Sequence, residues 1–354
     1  MIILNARFSS QGLTGVQRVA YELGRRLLAR RSDVLAVSSD APRPEYDIPV
    51  SVAAPVLPTL GGHFWEQTRL RSLAGKGNLL INLGGTGPIG LKRQIVMIHD
   101  VNYLLGPAGY SRKFRLSYYH LQRHLAHHAR IVTISDWASQ TISEAFGVPK
   151  ESMAIMSHGA DHLDEIVADP GTLHRHGLKG RPYFLCVGSA NPNKNFATAL
   201  SAFRLIENSQ FDLVIVGGTN PAIFQNEGGM ELPPNVHRLP QVSDAELKEL
   251  LCQALGLVVP SLLEGFGIPA IEAMYLGTPA IVSRAAAIPE VCGDAALYFD
   301  PLDAPTLART MCDVFENPEL ARRMSERALR HVRKYSWDKS ADTLETIIEE
   351  CLRS

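Results

Sequence analysis

Short apolar runs alternate with amphipathic helical patterns along the whole of this 354-residue chain. In the first half the apolar runs predict strands at Met1–Asn5, Asp33–Ser38, Leu79–Leu83, Gln94–His99 and Arg130–Ile134. The helical patterns there cover Val16–Arg31, Ser111–Ala129 and Asp136–Phe146, with Ser135 as the N-cap of the third. In the second half the predicted strands are Tyr183–Val187, Leu213–Val216, Val236–Leu239, Leu257–Val259, Ala280–Val282 and Leu297–Phe299. Strands that alternate with helices in this way are typical of α/β proteins with parallel sheets.

The series of strands and helices restarts near 161–182, a stretch that contains two prolines and three glycines. We therefore expect two doubly wound, Rossmann-like domains, with the boundary between residues 168 and 169. Two such domains facing each other would leave an interdomain cleft, which is a common position for a ligand.

Composition and charge narrow the function classes. The hydrophobic content of 45% and the charged content of 20% are those of a soluble globular protein, and the net charge of −1 gives no global field for nucleic acid. No apolar stretch approaches the roughly 20 residues of a membrane span. Five cysteines at wide spacings are interpreted as small buried apolar residues in a reducing cytosol. The charge is uneven, because residues 1–175 hold 19 Lys+Arg and 14 Asp+Glu (net +5), which leaves 16 and 22 (net −6) for residues 176–354.

The most informative segment runs from Ser261 to Met274 and contains two carboxylates, Glu264 and Glu272, separated by seven residues. Glu264 lies on a glycine-flanked loop after a predicted strand. Pro269 suits the first turn of the next helix, and this places Glu272 in that first turn as well. Ligands of open parallel sheets bind at the carboxyl ends of the strands, where a helix start offers free N–H groups. The two acids are therefore interpreted as ligand-binding groups, in preference to a merely solvated turn.

Three further segments, which are weaker indications of ligand binding, lie at other predicted strand ends. The segment 187–195 combines a glycine turn with Lys194, which suits a phosphate cradle or equally a solvated lysine. In the segment 12–18, Gly15 allows a close backbone approach, and Arg18 is either an anion contact or a surface residue. His99 ends an apolar strand, so it is either a ligand contact or a satisfied core histidine.

Taken together, these residues resemble the retaining, nucleotide-sugar-dependent glycosyltransferases of family 4, which have the GT-B fold. The resemblance covers nearly the whole chain. It is carried by the E-x7-E pair Glu264 and Glu272 within Glu-Gly-Phe-Gly-Ile-Pro-Ala-Ile-Glu-Ala, and by the segments 276–282 and 288–291 that follow. Within this family, the sequence of the motif is most similar to that of bacterial polysaccharide and lipopolysaccharide mannosyltransferases.

The resemblance implies a role for each matching residue. Glu264 binds hydroxyls of the donor sugar, Glu272 binds the ribose, and Lys194 neutralises the diphosphate. His99 touches the donor sugar near the reacting carbon, so the catalytic set is Glu264, His99 and Lys194. The donor-binding set is Glu272, Gly265, Phe266, Gly267, Ile268, Ser189, Asn195, Gly15 and Val242. The resemblance also implies an acceptor-side domain at 1–168, a nucleotide-sugar domain at 169–335, and a last helix, 336–354, that packs back on the first domain.

One departure from the family pattern concerns the diphosphate. Many relatives carry an arginine where Ser189 stands, and the subgroup with a small residue there often has an arginine at the position of Asn193. Lys194, helped by the helix dipole and by Arg284, would then hold the leaving group with fewer charges.

The expected reaction is therefore transfer of a sugar from a nucleotide-sugar donor to a glycan or lipid-linked saccharide. GDP-mannose is the first donor expected and a UDP-sugar the alternative. The sequence has no Asp-x-Asp, so we expect no metal and no cofactor. Two other functions stay open, a non-catalytic nucleotide-sugar-binding relative and a sugar-nucleotide epimerase of similar fold.

The acceptor residues are not visible in the sequence. The segment Ser111–Arg130 reads as a basic, aromatic helix in the positively charged half. It either docks on an anionic membrane surface or has one core face and one solvated basic face. We expect a cytoplasmic protein, and in the docking alternative it works at the inner face of the cytoplasmic membrane.

Overall fold

A computed structural model describes residues 1–55, 61–75, 77–106, 110–189, 191–207, 209–217 and 232–353. The chain divides into two compact units. The first unit comprises Met1–Leu104, Tyr110–Gly159 and the C-terminal segment from Ser336, and the second comprises Ala160–Tyr335 with the short segment that begins at Leu105.

The first unit is built on a seven-stranded parallel sheet with the order β3-β2-β1-β4-β5-β6-β7. Its strands are β1 (Ile2–Asn5), β2 (Val34–Ser38), β3 (Ser51–Val52), β4 (Leu79–Asn82), β5 (Gln94–Met97), β6 (Arg130–Thr133) and β7 (Ala154–Ile155). The strands β1, β4 and β5 are buried along their whole length, as expected of parallel strands with helices on both faces.

The helices of the first unit alternate with these strands. They are α1 (Gly15–Arg30), α2 (His63–Trp65), a π-helical turn (Glu66–Leu70), α3 (Arg71–Ala74), α4 (Asn102–Leu105), α5 (Arg112–His128) and α6 (Asp136–Phe146). The Ser135 hydroxyl accepts a hydrogen bond from the N–H of Ala138 at 3.0 Å, so the predicted N-cap of α6 is confirmed. The last helix of the chain, α14 (Trp337–Arg353), lies beside α1, where Arg26 and Arg30 bind Asp338.

The second unit contains a six-stranded parallel sheet with the order β10-β9-β8-β11-β12-β13. Its strands are β8 (Tyr183–Val187), β9 (Asp212–Val216), β10 (Val236–Leu239), β11 (Gly256–Val259), β12 (Ala280–Ser283) and β13 (Leu297–Phe299). Its helices are α7 (Thr172–Arg175), α8 (Phe196–Arg204), α9 (Asp244–Gln253), α10 (Ile268–Tyr275), α11 (Ile288–Cys292), α12 (Ala304–Glu316) and α13 (Pro318–His331). Short 3₁₀ turns in the chain cover Arg7–Ser10, Lys150–Ser152, Asp161–Glu165, Pro192–Lys194 and Val332–Lys334.

The predicted α/β class with two doubly wound sheets is confirmed. The elements Asp136–Phe146, Tyr183–Val187, Val236–Leu239 and Leu297–Phe299 have the bounds that the sequence predicts. The strands β3 and β7 were not predicted, because two residues at a sheet edge leave no hydrophobic period to detect. The interpretation of all five cysteines as buried holds for Cys186 and Cys292 only, because Cys312 and Cys351 are half-buried and Cys252 is exposed.

Each sheet has a point at which the chain switches direction across the strand order. In the first sheet this point lies between β1 and β4, and in the second it lies between β8 and β11. Adjacent loops diverge there and leave a crevice outside the carboxyl ends of the strands, where doubly wound proteins bind ligands.

Candidate active site

An ion pair occupies the switch point of the second sheet. Lys194, on the loop after β8, lies 2.7 Å from the Glu264 carboxylate, on the loop after β11. The two side chains are 22% and 14% exposed, so both can still be reached by a ligand. The Ser261 hydroxyl donates to the same Glu264 oxygen at 3.2 Å. The structure therefore brings two of the predicted site residues into direct contact.

Asparagines shape the loop that carries Lys194. The Asn191 side chain accepts from the N–H of Asn193 at 3.0 Å and starts the 3₁₀ turn Pro192–Lys194. Asn195 then adopts a left-handed conformation, φ 51°, which asparagine tolerates better than most residues. Its amide donates to the carbonyls of Pro260 at 2.9 Å and Pro301 at 2.8 Å. Asn195 therefore joins three loops at this edge of the sheet.

Gly188 packs against the aliphatic part of the Lys194 side chain. A Cβ at this position would lie 3.1 Å from Cγ and 3.2 Å from Cδ of Lys194, closer than side chains normally pack. The next residue, Ser189, is exposed. The sequence pointed to a glycine turn here, and the structure shows that Gly188 also leaves space for the Lys194 side chain.

The start of α10 completes the loop after β11. Gly267 has φ 101°, a conformation that favours glycine, and Pro269 lies in the first turn as predicted. Gly265 and Phe266 are buried, Ile268 is half-buried, and the Phe266 ring packs edge-on against Tyr335. Ala270 and Ile271 donate to the Gly267 carbonyl, so the positive end of the helix dipole and the N–H groups ahead of Pro269 are what this segment offers to an anionic ligand.

Glu272 lies in a different setting from Glu264. The prediction that it belongs to the first turn of its helix is wrong, because α10 begins at Ile268 and Glu272 falls in the second turn. It is buried, and its carboxylate is 3.3 Å from Nε2 of His162, which is also buried. Each acid therefore has its own basic partner. The sequence gives no signal for His162, because the contact joins α10 to the distant 3₁₀ turn Asp161–Glu165.

Two further predicted contacts of the second unit lie on loops that follow strands. Val242 is half-buried and directly precedes α9, whose N-terminus has a capping box formed by Ser243 and Glu246. Arg284, the expected helper of Lys194, is exposed and places its guanidinium 4.7 Å from the centre of the Tyr298 ring. Its charge is therefore engaged in a cation–π contact.

His99 and Gly15 belong to the first unit. His99 follows the carboxyl end of β5, is 9% exposed, and has Nε2 2.8 Å from the carbonyl oxygen of Leu83. A carbonyl can only accept, so Nε2 carries the proton and donates. Burial lowers the pKa of His99 to about 4, which keeps the imidazole neutral near pH 7. Gly15 is exposed as the first residue of α1.

A second buried histidine lies close to the first. The rings of His158 and His99 are 6.2 Å apart, and His158 stacks on Trp337 at 5.5 Å. Burial lowers the pKa of His158 well below its usual value, and the neighbouring His99 acts in the same direction. Over the described residues, no group of three or more His, Cys, Asp or Glu side chains is arranged to hold a metal ion.

The comparisons with known proteins bear on the same half of the chain. The family described as glycosyl transferases group 1 matches residues 173–331, which include Lys194, Glu264 and Glu272. This chain carries a group 1 glycosyltransferase domain. The glycosyltransferase interpretation made from the E-x7-E pair is therefore confirmed.

Relatives of this glycosyltransferase extend over most of its length. It is 27% identical to the O-antigen chain mannosyltransferase RfbU of Salmonella typhimurium over 277 residues, 78% of this chain and 74% of the relative. It is also 27% identical to the O-antigen chain mannosyltransferase B of Escherichia coli over 263 residues, 71% of this chain and 68% of the relative.

A solved structure gives the fold. Sucrose-phosphate synthase from Thermosynechococcus elongatus superimposes with a TM-score of 0.78 and 19% sequence identity, covering 99% of both chains. The glycosyltransferase has the GT-B fold, as the resemblance implied. Within it, the structure joins Lys194, Glu264, Ser261 and Asn195 into one site of the second unit.

Proposed function

We propose that this chain is a retaining, metal-independent mannosyltransferase of family 4. It would transfer mannose from GDP-mannose to a glycan or lipid-linked saccharide in bacterial surface polysaccharide synthesis. The observation that carries the proposal is the Lys194–Glu264 pair at the switch point of the second sheet, within the matched domain. The names of the two O-antigen relatives support mannose as the sugar.

The proposed reaction needs a held sugar and a neutralised leaving group. A donor would insert its diphosphate beside Lys194 and the N–H groups at the start of α10, which act as preorganised positive partners. Glu264 would then accept hydrogen bonds from sugar hydroxyls, for which an ionised carboxylate is a strong acceptor. In the transfer, the bond from the sugar C1 to the diphosphate oxygen breaks and a bond to the acceptor oxygen forms. The acceptor proton passes to the leaving diphosphate, so Glu264 is not written as a nucleophile.

Glu272 and His99 have narrower parts in this proposal. Buried Glu272, backed by His162, would accept the ribose hydroxyls. His99 would contact the donor sugar as a neutral group, because its Nε2 proton is already given to Leu83 and its pKa is about 4. Its function would be to position the sugar, since a neutral imidazole of this pKa is a weak base at neutral pH.

A thermal-shift screen tests the donor. GDP-mannose, UDP-glucose and ADP-glucose are each added to the protein, because a ligand that binds only the native state raises its apparent stability. We expect GDP-mannose to give the largest shift, with and without a chelator. A larger shift with UDP-glucose would replace mannose as the proposed sugar, and a shift that requires a divalent cation would refute the metal-independent form.

The Glu264→Ala variant tests the site itself. Without an acceptor, the native enzyme is expected to release GDP slowly from GDP-mannose by transfer to water, and Glu264→Ala is expected to abolish this release. Glu316→Gln, which changes an exposed carboxylate of the same unit, serves as the matched control. A Glu264→Ala variant with native turnover would refute the assignment. Donor binding with no release and no transfer would favour the non-catalytic relative, and formation of an epimerised donor would favour the epimerase.

We also propose that α5 brings the enzyme to an anionic membrane surface on the cytoplasmic side. One face of the helix packs in the core around Leu125, and the other exposes Arg112, Lys113 and Leu116, the last of them 61% exposed. Cationic side chains beside an exposed leucine suit an anionic bilayer surface. Over the described residues no helix is long and apolar enough to cross a membrane.

Flotation with phosphatidylglycerol vesicles tests this docking. Binding is expected at low salt and should weaken at high salt, since phospholipid headgroups attract these cations electrostatically. The double variant Arg112→Ala/Lys113→Ala should reduce binding, whereas Lys179→Ala, an exposed lysine of the second unit, should not. Absence of binding at low salt would identify the basic face as merely solvated.

A further inference from the structure

The switch point of the first sheet holds a polar cluster that the reaction described above does not use. Asn5 ends β1 and Asn82 ends β4, and their side-chain amides are hydrogen-bonded at 3.0 Å. Asn5 also donates to the carboxylate of Glu66 at 3.0 Å. Glu66 is 1% exposed, which is rare for a glutamate unless it has several partners. This edge of the sheet is the kind of place at which doubly wound domains bind ligands.

The Glu66 carboxylate has three more hydrogen-bond partners besides Asn5. Arg7 donates from Nε at 3.0 Å, Thr86 from its hydroxyl at 3.0 Å, and His63 lies with Nδ1 at 3.0 Å. Burial alone would raise the pKa of Glu66, but the hydrogen bond from His63 and the positive charge of Arg7 outweigh it and lower the pKa. The carboxylate is therefore ionised, and it holds the Arg7 and His63 side chains in fixed positions.

The helix that carries Glu66 has an irregular turn at this point. Between α2 and α3 the turn Glu66–Leu70 is π-helical, although it contains neither proline nor glycine. Single π-helical turns are rare and are frequent at functional sites. The irregularity begins at the buried carboxylate itself.

Two of the groups around Glu66 remain accessible. The side chain of His63 is 45% exposed, and its Nε2 lies 3.1 Å from the hydroxyl of Tyr118. Arg7 is 17% exposed and uses only Nε in its pair with Glu66. Over the described part of the chain, the Nη1 and Nη2 groups of Arg7 have no hydrogen-bond partner. Glu66 thus holds two groups that a ligand can reach, the Nε2 acceptor of His63 and the Nη donors of Arg7.

Aromatic rings lead away from His63 along α5. Tyr118 stacks on Phe114 with ring centres 4.1 Å apart, and Phe114 stacks on Tyr110 at 5.2 Å. The three rings are half-buried, so part of each remains accessible to solvent. Flat aromatic surfaces beside a few fixed polar groups are typical of small-molecule sites.

The charge of the cluster indicates the class of ligand. The positive charge of Arg7 is balanced by the buried negative charge of Glu66, so the cluster as a whole does not favour an anion. A ligand that both donates and accepts hydrogen bonds, and that also has apolar faces for aromatic rings, matches it better. A saccharide has this combination of hydroxyls and C–H faces.

We propose that Arg7, His63, Glu66 and Tyr118, with the ring stack of α5, form a saccharide-binding site of the first unit that takes the acceptor. This inference rests on the proposed function, because only a transferase needs a second saccharide. A sugar hydroxyl donates to Nε2 of His63 in place of the Tyr118 hydroxyl, and Arg7 donates to a sugar oxygen. Glu66 is a positioning residue, since it is buried and acts by holding Arg7 and His63.

Saturation-transfer NMR tests the proposal without requiring turnover. The probes are the methyl α-glycosides of mannose, glucose, galactose, rhamnose and N-acetylglucosamine, added to the full chain with saturating GDP so that the nucleotide site is filled. We expect at least one glycoside to receive saturation. In His63→Ala and Tyr118→Ala its affinity should fall at least about tenfold, the usual effect of losing one good hydrogen bond or a ring contact. His120→Ala, an exposed histidine of the same helix, is the matched control and should bind as the native protein does.

Two further measurements distinguish a saccharide site from a loss of stability and from an anion site. Glu66→Gln should change which sugar protons are saturated most, a result that a loss of stability alone would not produce. Inorganic phosphate should not displace the glycoside. No saturation of any glycoside, native affinity in both variants, or displacement by phosphate would each overturn the proposal. GDP binding by the same variants, compared with Lys194→Ala, separates a failure of this site from a failure of the proposed donor site.

Discussion

The buried His99 makes the stability of the first unit depend on pH. Its pKa in the folded chain is about 4, whereas the ordinary value for histidine is 6.5. Between these two values the unfolded chain binds the proton more strongly than the folded chain, so stability rises with pH and is lost as the pH falls below 6.5 toward 4. Integrating this pH dependence from pH 7 to pH 5 gives a loss of about 2 kcal/mol in unfolding free energy from this one side chain.

The perturbation is His99→Gln, which removes the titrating group and keeps an amide N–H able to donate to the Leu83 carbonyl. Amide hydrogen exchange of β5 is measured at pH 7 and pH 5, after correction for the intrinsic exchange rate. Exchange is preferred to a melting curve, because a chain with two units need not unfold in a single step. Between the two pH values, the native chain is expected to lose about 2 kcal/mol more than His99→Gln in the opening free energy of β5.

Two controls make this expectation refutable. His174→Gln changes an exposed histidine of the second unit and should leave the pH dependence of β5 as it is in the native chain. His158→Gln should remove a further part of that dependence, because burial also lowers the pKa of His158. An equal loss in native and His99→Gln proteins would refute the reasoning, as would a midpoint near 6.5 for the His99 ring protons in an NMR titration.

Three other changes have defined outcomes. Lys194→Ala should lower donor turnover by roughly a hundredfold, the usual cost of losing one fixed group that stabilises developing charge, while the exposed control Lys179→Ala keeps native turnover in the same assay. Gly188→Ala should weaken GDP binding in calorimetry without unfolding the second unit, because the new Cβ would lie 3.1 Å from the Lys194 stem; native affinity would show that the stem moves freely. Ser135→Ala should lower the opening free energy of α6, measured by the same amide exchange, by about 1 kcal/mol through loss of its N-cap, and a change near zero would show that water replaces the cap.

The fold and part of the site followed from local patterns. The inner strand β8 is a continuous apolar run and was predicted with its observed bounds. The edge strands β10 and β13 are only partly buried, and their observed bounds also match the prediction. Glu264 and Lys194 were predicted separately, each as a residue on a loop after a strand. Their direct contact depends on β8 and β11 being neighbours in the sheet, and this order is a property of topology that no local pattern contains.

The contacts that escaped prediction are those between distant segments. His162 meets Glu272 only because the 3₁₀ turn Asp161–Glu165 packs against α10, and His162 carries no pattern of its own. Glu66 is part of a helical segment that the sequence did not predict, since the π-helical turn disturbs the ordinary helical period. The predicted helix position of Glu272 was wrong because α10 already begins at Ile268, directly after the left-handed Gly267, so Glu272 lies just past the first turn.

The pairing of Lys194 with Glu264 bears on how the proposed donor site discriminates among the many anions of a cell. A ligand that offers only negative charge, such as inorganic phosphate, has to compete with the Glu264 carboxylate for the lysine and leaves that carboxylate without a partner. In the proposed reaction, a ligand that carries a diphosphate together with hydroxyl groups would replace both halves of the pair at once. In the proposed donor site this pairing would disfavour capture by simple anions, and the same competition would favour departure of the nucleotide after sugar transfer.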